Sequence, residues 1–413
     1  MLMSFFSRGF ILLWQGQLVS QLGNQAFLVA ATYFALEKTG STAFVAAVMM
    51  ASTIPLVLIG PFGGTIADRH SRRSILIITD LLRGMAVGAL AIVLLWRPDA
   101  ATIHLPLLVL VAAFSGTMAA LFTPAVQAII PDLVDQNRLA SANSVSQISS
   151  QVAILIGQAI GGVLYVTSGA AWLLLFDALS FGYATLATWF IPADRTHPRP
   201  QVNTWDVMRQ YITETREGMA FVLRERMTSL LVVFAGVNFL FMPVFVLLPL
   251  YVRNILGSGP DWYGFLLAGS GAGALCGAGL AGVLLTRLRA HHKLLRACVG
   301  GVGCCVFALA VTTSAAVALA LFIVIGVFSS MINVTVITTF QSAVPTQIRG
   351  RVMALVVAAS TASVPIGMGL GGIIGDLWRE SLATVFAVCG GAITFLGVLG
   401  LQAAPPGRPP IDR

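Results

Sequence analysis

The stretch GPFGGTIADRHSRR, residues Gly60 to Arg73, decides the fold that this chain is expected to adopt. A long apolar segment runs directly into a glycine-rich helix end, an Asp68-Arg69 pair and two further arginines, and then another apolar segment begins. A membrane protein with several spans needs such a junction wherever a helix hairpin reaches the cytoplasmic side, because basic residues are retained there. The stretch therefore predicts a membrane helix on each side of it.

The composition agrees with a membrane protein. Of the 413 residues, 57% are hydrophobic and only 10% are charged, whereas soluble domains carry about 25% charged residues. The net charge is +8, but the basic residues stand singly between apolar runs, so we expect no nucleic-acid partner. The five cysteines lie inside apolar segments without the spacing of ligands or disulfides. We therefore expect no metal and no cofactor, and no catalytic motif indicates an enzyme.

Apolar segments of about 20 residues or more predict twelve transmembrane helices, numbered here as spans 1 to 12. They cover roughly 9–36, 41–67, 75–96, 103–127, 143–167, 170–191, 228–254, 261–286, 294–313, 315–339, 351–375 and 381–402. If the N-terminus is cytoplasmic, only four of the 24 Lys and Arg residues fall outside, namely Lys38, Arg97, Arg253 and Arg379. This bias predicts that both termini are cytoplasmic.

A polar interruption divides the spans into six and six. The expected domains are an N-terminal half (1–191), a cytoplasmic linker (192–227), a C-terminal half (228–402) and a cytoplasmic tail (403–413). Within the linker, apolar residues recur at helical spacing between charged ones, namely Trp205, Met208, Ile212, Met219 and Val222. This pattern predicts an amphipathic helix on the inner membrane surface; a plain solvated linker is the alternative.

The two halves repeat each other. The sequence QAIIP at 127–131 returns as QSAVP at 341–345, and GQAIGG at 157–162 returns as GMGLGG at 367–372. Two homologous six-helix halves are a transporter architecture, with the substrate site between the halves near the membrane midplane. Small residues predict close helix packing in both halves, and the expected packing residues are Gly157, Gly161, Gly162, Gly367 and Gly371.

Over nearly its whole length the chain resembles the major facilitator superfamily. Residues 60–73 are similar to its loop signature between spans 2 and 3, G-x-x-x-D-R-x-G-R-R, with Ser71 at the last glycine. The segments DLLRG at 80–84, FSGTMAALFTPAVQAIIPDLV at 114–134 and DALSF at 177–181 resemble macrolide-efflux and enterobactin-exporter-like proteins. GQAIGG resembles the antiporter motif G-P-x-x-G-G, with Gln158 in place of proline, and span 4 lacks the membrane arginine of many drug-proton antiporters.

The resemblance and the repeat together imply a cytoplasmic gate. Asp68 is expected to face the start of span 11 near Gly350 and Arg351, where a helix dipole and an arginine stabilise a carboxylate. Such a contact forms only while the halves are closed on the inside. The alternative is that the basic residues merely fix topology. The expected gate and motif residues are Gly60, Gly64, Asp68, Arg69, Arg72, Arg73, Asp80, Arg83, Arg349 and Arg351.

Asp177 is placed well within a span, where an acid is costly and is a functional candidate by default. We predict that it accepts the proton that couples export to the proton gradient; a structural acid bonded to a neighbouring helix is the alternative. Asp80 and Arg83 are three residues apart on span 3 and are expected to form a structural ion pair. Glu37, beside Lys38 at the outer end of span 1, is expected to be solvated.

Polar side chains suggest which helices line the substrate cavity. Gln17, Gln21 and Asn24 share one face of span 1, which is too polar for lipid. Hydrogen bonding between helices is the alternative reading of each amide. The further cavity candidates are Asn238 and Phe241 on span 7 and Asn333 on span 10.

Taken together, these features and the resemblance predict an all-α integral membrane protein with the major facilitator fold. The expected function is secondary export of an amphipathic or apolar small molecule, of the drug, macrolide or siderophore type, by alternating access and proton antiport. We expect a monomer in the bacterial cytoplasmic (inner) membrane, with protons, the lipid bilayer and the small-molecule substrate as its partners. A lysophospholipid or lipid translocase, a uniporter, and a non-transporting membrane scaffold or sensor are the alternatives.

Overall fold

The structure is a computed structural model that describes residues 6–97, 100–192, 204–225, 227–287, 291–378 and 381–399. A few side chains within the helices, including that of Asp68, fall outside this description, as does the predicted tail at 403–413. The fold is all-helical, as predicted. The helices are α1 Arg8–Thr39, α2 Thr42–Arg69, α3 Arg72–Trp96, α4 Ala101–Leu133, α5 Leu139–Trp189, α6 Thr204–Arg224, α7 Thr228–Asn254, α8 Pro260–Arg287, α9 His291–Leu309, α10 Ala315–Ala343, α11 Arg349–Leu377 and α12 Leu382–Leu399.

Most helices correspond one to one with the predicted spans. α1 to α4 correspond to spans 1 to 4, α6 lies in the predicted linker, and α7 to α12 correspond to spans 7 to 12, although α9 and α12 end before the predicted spans do. α5 contains both span 5 and span 6. It is interrupted at Gly169, whose φ of 79° and ψ of 172° are not helical. Glycine reaches a positive φ of this kind without steric cost, so Gly169 provides the turn between the two spans.

Nine segments of the described chain are long and apolar enough to cross a membrane. One of them, Gln136–Trp189, contains two predicted spans, whereas the apolar part of α12, Leu382–Val398, is shorter than the others. α1 is not among the nine, and its middle part carries the amides Gln15, Gln17, Gln21, Asn24 and Gln25. The chain is a multi-pass membrane protein, and the number of twelve spans stays a prediction.

The stretch 60–73 forms the hairpin that its sequence predicts. α2 continues through it as far as Arg69, and α3 begins at Arg72. Between them, the Ser71 side chain accepts a hydrogen bond of 3.3 Å from the backbone N–H of Ser74 and so caps α3. The φ of Ser71 is −58°, which any residue can adopt. A serine therefore serves at the position where the superfamily signature has glycine.

The chain divides into two compact units. The first consists of Met1–Val207 and Gly257–Ala268, and the second of Met208–Leu256 and Gly269–Arg413. The predicted halves place all of α8 in the C-terminal half, whereas the contacts assign its first residues to unit 1. The reason is a close helix crossing, because a Cβ atom added at Gly264 would lie 2.4 Å from the carbonyl oxygen of Gln158 on α5.

The sequence repeat corresponds to the same helix contact in each unit. In unit 1, Gly157 and Gly161 of α5 press against the backbone of α1, where added Cβ atoms would lie 2.9 Å from Leu22 O and 3.1 Å from Ala26 Cα. In unit 2, Gly367 and Gly371 of α11 press against α7, at 2.4 Å from the carbonyl oxygen of Phe239 and 2.5 Å from Pro243 Cα. Glycines allow helix backbones to approach this closely.

Candidate functional site

Three charged side chains are buried together inside unit 1. Asp80 and Arg83 on α3 and Asp177 on α5 are 1%, 5% and 1% exposed. Ionisable residues are almost never this deeply buried unless they are paired, and within a membrane span they mark a functional site by default.

Arg83 is the centre of this group. Its Nη2 atom donates a hydrogen bond of 2.9 Å to Oδ1 of Asn24 on α1. Its Cζ atom lies 4.2 Å from the ring centre of Phe181 on α5, which is cation–π distance. Asp80 and Asp177 are its two acidic electrostatic neighbours. These five residues, Asn24, Asp80, Arg83, Asp177 and Phe181, are called the Arg83 cluster below.

Glycines allow α1, α3 and α5 to meet at the Arg83 cluster. A Cβ atom added at Gly23 of α1 would lie 2.6 Å from Oδ1 of Asp177 and 2.2 Å from the hydroxyl of Ser180. A Cβ atom at Gly84 of α3 would lie 3.2 Å from the carbonyl oxygen of Ala178. Since a larger side chain would overlap at Gly23 and be crowded at Gly84, the segments DLLRG at 80–84 and DALSF at 177–181 form one packed site.

Several polar atoms of the Arg83 cluster lack hydrogen-bond partners among the described residues. They are Oδ1 of Asp80, Nε of Arg83 and Oδ1 of Asp177. Buried polar atoms without a partner are uncommon and call for an explanation, such as a water molecule, an ion or a catalytic role. The cluster can therefore take up a proton, a water molecule or a polar substrate group.

The sequence singled out most of these residues but did not group them. Asp80 and Arg83 were expected to form their own local pair, and Asp177 was considered separately. In the structure, the Arg83 guanidinium of α3 bonds to Asn24 of α1 and lies over the ring of Phe181 of α5. Helical periodicity relates residues on one helix, so it could not predict that side chains of three different helices meet. The local signal that DLLRG and DALSF share is an acid four residues before a glycine or an aromatic residue.

The arginines of the stretch 60–73 do more than fix topology. Arg72 forms an ion pair with Asp132 at the end of α4 and donates a hydrogen bond of 2.9 Å to the carbonyl oxygen of Ala128. Arg73 donates to the carbonyl oxygen of Trp189 at the end of α5 and lies over its ring. The start of α3 is thereby attached to the ends of two other helices.

Sequence reasoning missed Asp132. In the repeat, QAIIP at 127–131 is followed by Asp132, whereas QSAVP at 341–345 is followed by Thr346. This difference between the halves was the available signal. It places an acid at the end of only one of the two repeated segments.

The predicted contact of Asp68 is not described, because its side chain lies outside the described residues. On the other side of the expected gate, Arg351 forms an ion pair with Glu217 of α6. Arg349 donates to the carbonyl oxygen of Val344 at 3.3 Å, and Arg69 is exposed. The gate therefore stays a prediction.

The glycines of the stretch differ in what surrounds them. Cβ atoms added at Gly60 and Gly64 would meet no described atom within 4 Å, whereas one at Gly63 would lie 2.2 Å from the carbonyl oxygen of Ala120 on α4. Near the end of α2, the close contact with α4 thus depends on Gly63, which the sequence did not single out.

The predicted cavity residues have different surroundings. Of the three on α1, Asn24 bonds to Arg83, and the amides of Gln17 and Gln21 each have a buried atom without a described partner. Asn238 donates to the carbonyl oxygen of Phe234 in its own helix at 2.9 Å. Phe241 is half-buried, and Asn333 is exposed.

The expectation for Glu37 needs a correction. Its side chain is exposed, but it also accepts a hydrogen bond of 2.7 Å from the hydroxyl of Tyr165 on α5. The Tyr165 ring packs beside Tyr33, which in turn packs beside Tyr263. Glu37 is therefore attached to an aromatic cluster at the end of α1 and is not merely solvated.

The chain is similar in sequence to several known proteins. A sequence model of the family described as transmembrane secretion effector matches residues 2–404. The chain is 26% identical to the MFS-type transporter YfiS of Bacillus subtilis, over 95% of this chain and 93% of that protein. It is 25% identical to macrolide efflux protein A of Streptococcus pyogenes, over 89% of each chain. It is also 25% identical to the multidrug efflux pump Tap of Mycolicibacterium fortuitum, over 93% of each chain.

Solved structures share the fold at low sequence identity. A nucleoside transporter, NupG, superposes with a TM-score of 0.77 at 13% identity, covering 96% of this chain and 99% of that one. A D-xylose-proton symporter superposes with a TM-score of 0.72 at 15% identity, covering 97% and 98%.

Proposed function

Because the chain belongs to the transmembrane secretion effector family of the major facilitator superfamily, we propose that it is an exporter coupled to protons. It is a transporter and not an enzyme. The proposed cargo is an amphipathic or apolar small organic molecule, of the drug, macrolide or siderophore type. The names of the macrolide and multidrug efflux relatives support export, and the lack of charged side chains along most of the helices favours an apolar cargo.

The Arg83 cluster is the observation that carries the proposal of proton coupling. It holds two buried carboxylates and one guanidinium. An uncompensated charge is costly in a medium of low dielectric constant, and one guanidinium balances only one carboxylate. A proton on the other carboxylate removes the excess charge. The cluster is therefore suited to bind and release one proton, with Asp177 as the proton acceptor.

Protonation would also change how α3 and α5 interact. With a proton on Asp177, the positive charge of Arg83 is balanced by Asp80 on its own helix, and the guanidinium keeps its hydrogen bond to the amide of Asn24. When Asp177 loses the proton, Arg83 is attracted to α5 as well. A ligand or proton shifts a conformational equilibrium only if it interacts differently with the two states, and this competition for Arg83 provides such a difference. A proton moving inward contributes about 2.3 kcal/mol per 100 mV of membrane potential.

The remaining features of the proposal rest on the sequence. Positive charges predict that both termini face the cytoplasm of a bacterial inner membrane, and the chain is proposed to act as a monomer. Asp68, Arg349 and Arg351 are proposed to close the cytoplasmic side during the cycle, with Arg72 and Asp132 holding the end of the first-half hairpin in place. Gln17 and Gln21 are proposed to line the substrate path.

The proposal is tested with purified protein in proteoliposomes under an imposed pH gradient. A macrolide, a lipophilic organic cation and a siderophore serve as probes, and substrate and proton fluxes are measured together. We expect the wild type to move at least one probe in response to the gradient. Asp177→Asn should abolish that response while downhill exchange of the probe persists. Glu225→Gln, which neutralises an exposed acid next to α6, is the control and should respond like the wild type.

Other outcomes would separate the alternatives. Probe transport by the wild type without any response to the gradient indicates a uniporter and contradicts the coupling. A response that survives in Asp177→Asn contradicts the role of Asp177. If no probe is transported but a fluorescent lysophospholipid is, the chain is a lipid translocase; if nothing is transported, it is a scaffold or sensor.

A further inference from the structure

One face of α6 packs firmly against the rest of unit 2. A Cβ atom added at Gly218 would lie 3.0 Å from the carbonyl oxygen of Arg351 in the first turn of α11. Val222 is 0% exposed, and Glu217 forms an ion pair with Arg351. These contacts fix the rotation of α6 about its own axis and so decide which residues it presents outward.

The same contacts fix the position of α6 relative to the membrane. α6 ends at Arg224, and α7 begins only a few residues later at Thr228. α7 and α11 are both long and apolar enough to cross a membrane. Because α6 is attached at the start of each, its C-terminal half lies at the level where two spans enter the bilayer. A helix at this level is at the boundary between headgroups and acyl chains.

The outward face of α6 combines positive charge with apolar side chains. Arg209, Arg216 and Arg224 are all exposed, and at 3.6 residues per turn they fall within an arc of about 80°. Met219 and Leu223, which are 37% and 58% exposed, border that arc on one side.

The described acidic residues of α6 do not lie within this basic arc. Glu217, at its edge, is engaged by Arg351, and Glu214 is half-buried and has a partner. Glu225 follows the last residue of the helix. From Arg209 to Arg224 the exposed face of α6 is therefore basic. The side chain of Asp206, in the first turn of α6, lies outside the described residues.

This combination fits an anionic membrane surface. Apolar residues at the edge of an interfacial helix enter the acyl region, while long basic side chains reach the phosphates. Arginine also binds phosphate oxygens through two N–H groups at once. We propose that the outward face of α6 binds the headgroups of anionic phospholipids, with Arg209, Arg216 and Arg224 as the binding residues. The inference is independent of the proposed proton coupling.

The strength of this interaction can be anticipated from the charge. Each basic residue near an anionic membrane surface strengthens binding about five-fold, so three together account for roughly 100-fold. Zwitterionic lipids carry phosphate but no net charge, so they should bind much more weakly at this face.

The first experiment measures lipid binding to the full-length protein in detergent by native mass spectrometry. Short-chain phosphatidylglycerol and phosphatidylcholine are the two probes. We expect the wild type to prefer phosphatidylglycerol and the triple variant Arg209→Gln, Arg216→Gln, Arg224→Gln to lose most of that roughly 100-fold preference. Arg253→Gln is the matched control, because it removes an exposed arginine at the opposite end of α7 and should keep the preference. Equal binding of the two lipids to the wild type, or an unchanged preference in the triple variant, overturns the proposal.

A second measurement keeps the test decisive if the triple variant folds poorly. The triple substitution to lysine keeps the charge, and it should retain the phosphatidylglycerol preference. Hydrogen exchange of α6 in the wild type is then compared between nanodiscs of phosphatidylcholine alone and nanodiscs that also contain phosphatidylglycerol. Slower exchange of α6 in the anionic nanodiscs, with exchange in α9 and α12 unchanged, supports the proposal. Identical exchange of α6 in both membranes contradicts it.

Discussion

Arg83 on α3 donates a hydrogen bond of 2.9 Å to Asn24 on α1, although 59 residues separate them in the sequence. The amide therefore serves as a neutral partner for the buried guanidinium beside the two carboxylates of the cluster. Asn24 was predicted to line a cavity, and hydrogen bonding between helices was the alternative. The contact with Arg83 corresponds to that alternative, and it makes Asn24 a part of the charged site.

Arg83 should be essential for stability because it is the cation of the cluster. Arg83→Gln leaves two buried carboxylates without a counter-charge, and breaking a buried pair in this way costs about 3–5 kcal/mol. We expect a clearly lower unfolding temperature in detergent. The double variant Arg83→Gln, Asp177→Asn should be more stable than Arg83→Gln alone, because one of the stranded carboxylates is removed.

Arg97→Gln provides the control for this series, since Arg97 is an exposed arginine just after the other end of α3. It should change the unfolding temperature little. If Arg83→Gln were as stable as the wild type, or if the Asp177→Asn change gave no recovery, the two side chains would not be coupled.

The glycines at 63 and 64 should respond differently to alanine. A Cβ atom at Gly63 would overlap the backbone of α4 at Ala120, and overpacking of this kind costs about 1–3 kcal/mol. Gly64→Ala meets no described atom within 4 Å and should leave stability unchanged or raise it by up to about 1 kcal/mol through helix propensity. Thermal unfolding of both variants in detergent checks this. Equal stability of the two would mean that α2 and α4 are not held together at Gly63.

The crossing of α5 and α8 should depend on Gly264. Alanine there places a methyl group 2.4 Å from the carbonyl oxygen of Gln158, so the start of α8 must move away from α5. We expect faster hydrogen exchange at the start of α8 and a loss of about 1–3 kcal/mol in stability. Gly279→Ala is the matched control on the same helix, since its Cβ atom would meet no described atom within 4 Å. A variant at 264 that behaved like the one at 279 would rule out the crossing.

The ion pair between Glu217 and Arg351 should affect motion more than global stability. Both side chains are well exposed, at 48% and 40%, and exposed pairs contribute only about 0–1 kcal/mol. Glu217→Gln should therefore leave the unfolding temperature nearly unchanged but accelerate hydrogen exchange in α6. The double variant Glu217→Arg, Arg351→Glu should restore the slow exchange. Unchanged hydrogen exchange in Glu217→Gln would indicate that packing around Gly218 and Val222, and not the ion pair, holds α6 in place.

The sequence predicted the helices and their order well. The hairpin at 60–73, the helix in the linker and the turn near residue 169 all follow from local signals: a charge cluster between apolar runs, helical spacing and a glycine. The amphipathic pattern of the linker predicted the helix, but it did not predict the surroundings of each apolar residue. Val222 was grouped with Met219 as one apolar face, but Val222 is 0% exposed while Met219 is 37% exposed. Periodicity identifies an apolar side, and it does not distinguish packing against protein from contact with lipid.

The candidate site was predicted as separate residues and not as a group. Asp80, Arg83, Asp177 and Asn24 were each singled out, because charges and amides are costly in a membrane and so stand out in an apolar sequence. Their meeting point was not predictable, since it depends on how closely α1, α3 and α5 approach. Gly23 and Gly84 decide that approach, and nothing near them in the sequence distinguishes them from the other glycines.

The stretch Gly60 to Arg73 by itself determined that a helix hairpin turns at charged residues, because burying such residues in lipid is too costly. The spacing of apolar segments and the internal repeat likewise determined an all-helical membrane protein made of two similar halves. Only the tertiary structure decided that Arg72 pairs with Asp132 and that Gly63 lies against α4. It also decided that Arg83 bonds to an amide of α1 and has two buried acids as electrostatic neighbours. Hydrophobicity and charge act on each segment alone, whereas these contacts depend on the distances between helices that are remote in the sequence.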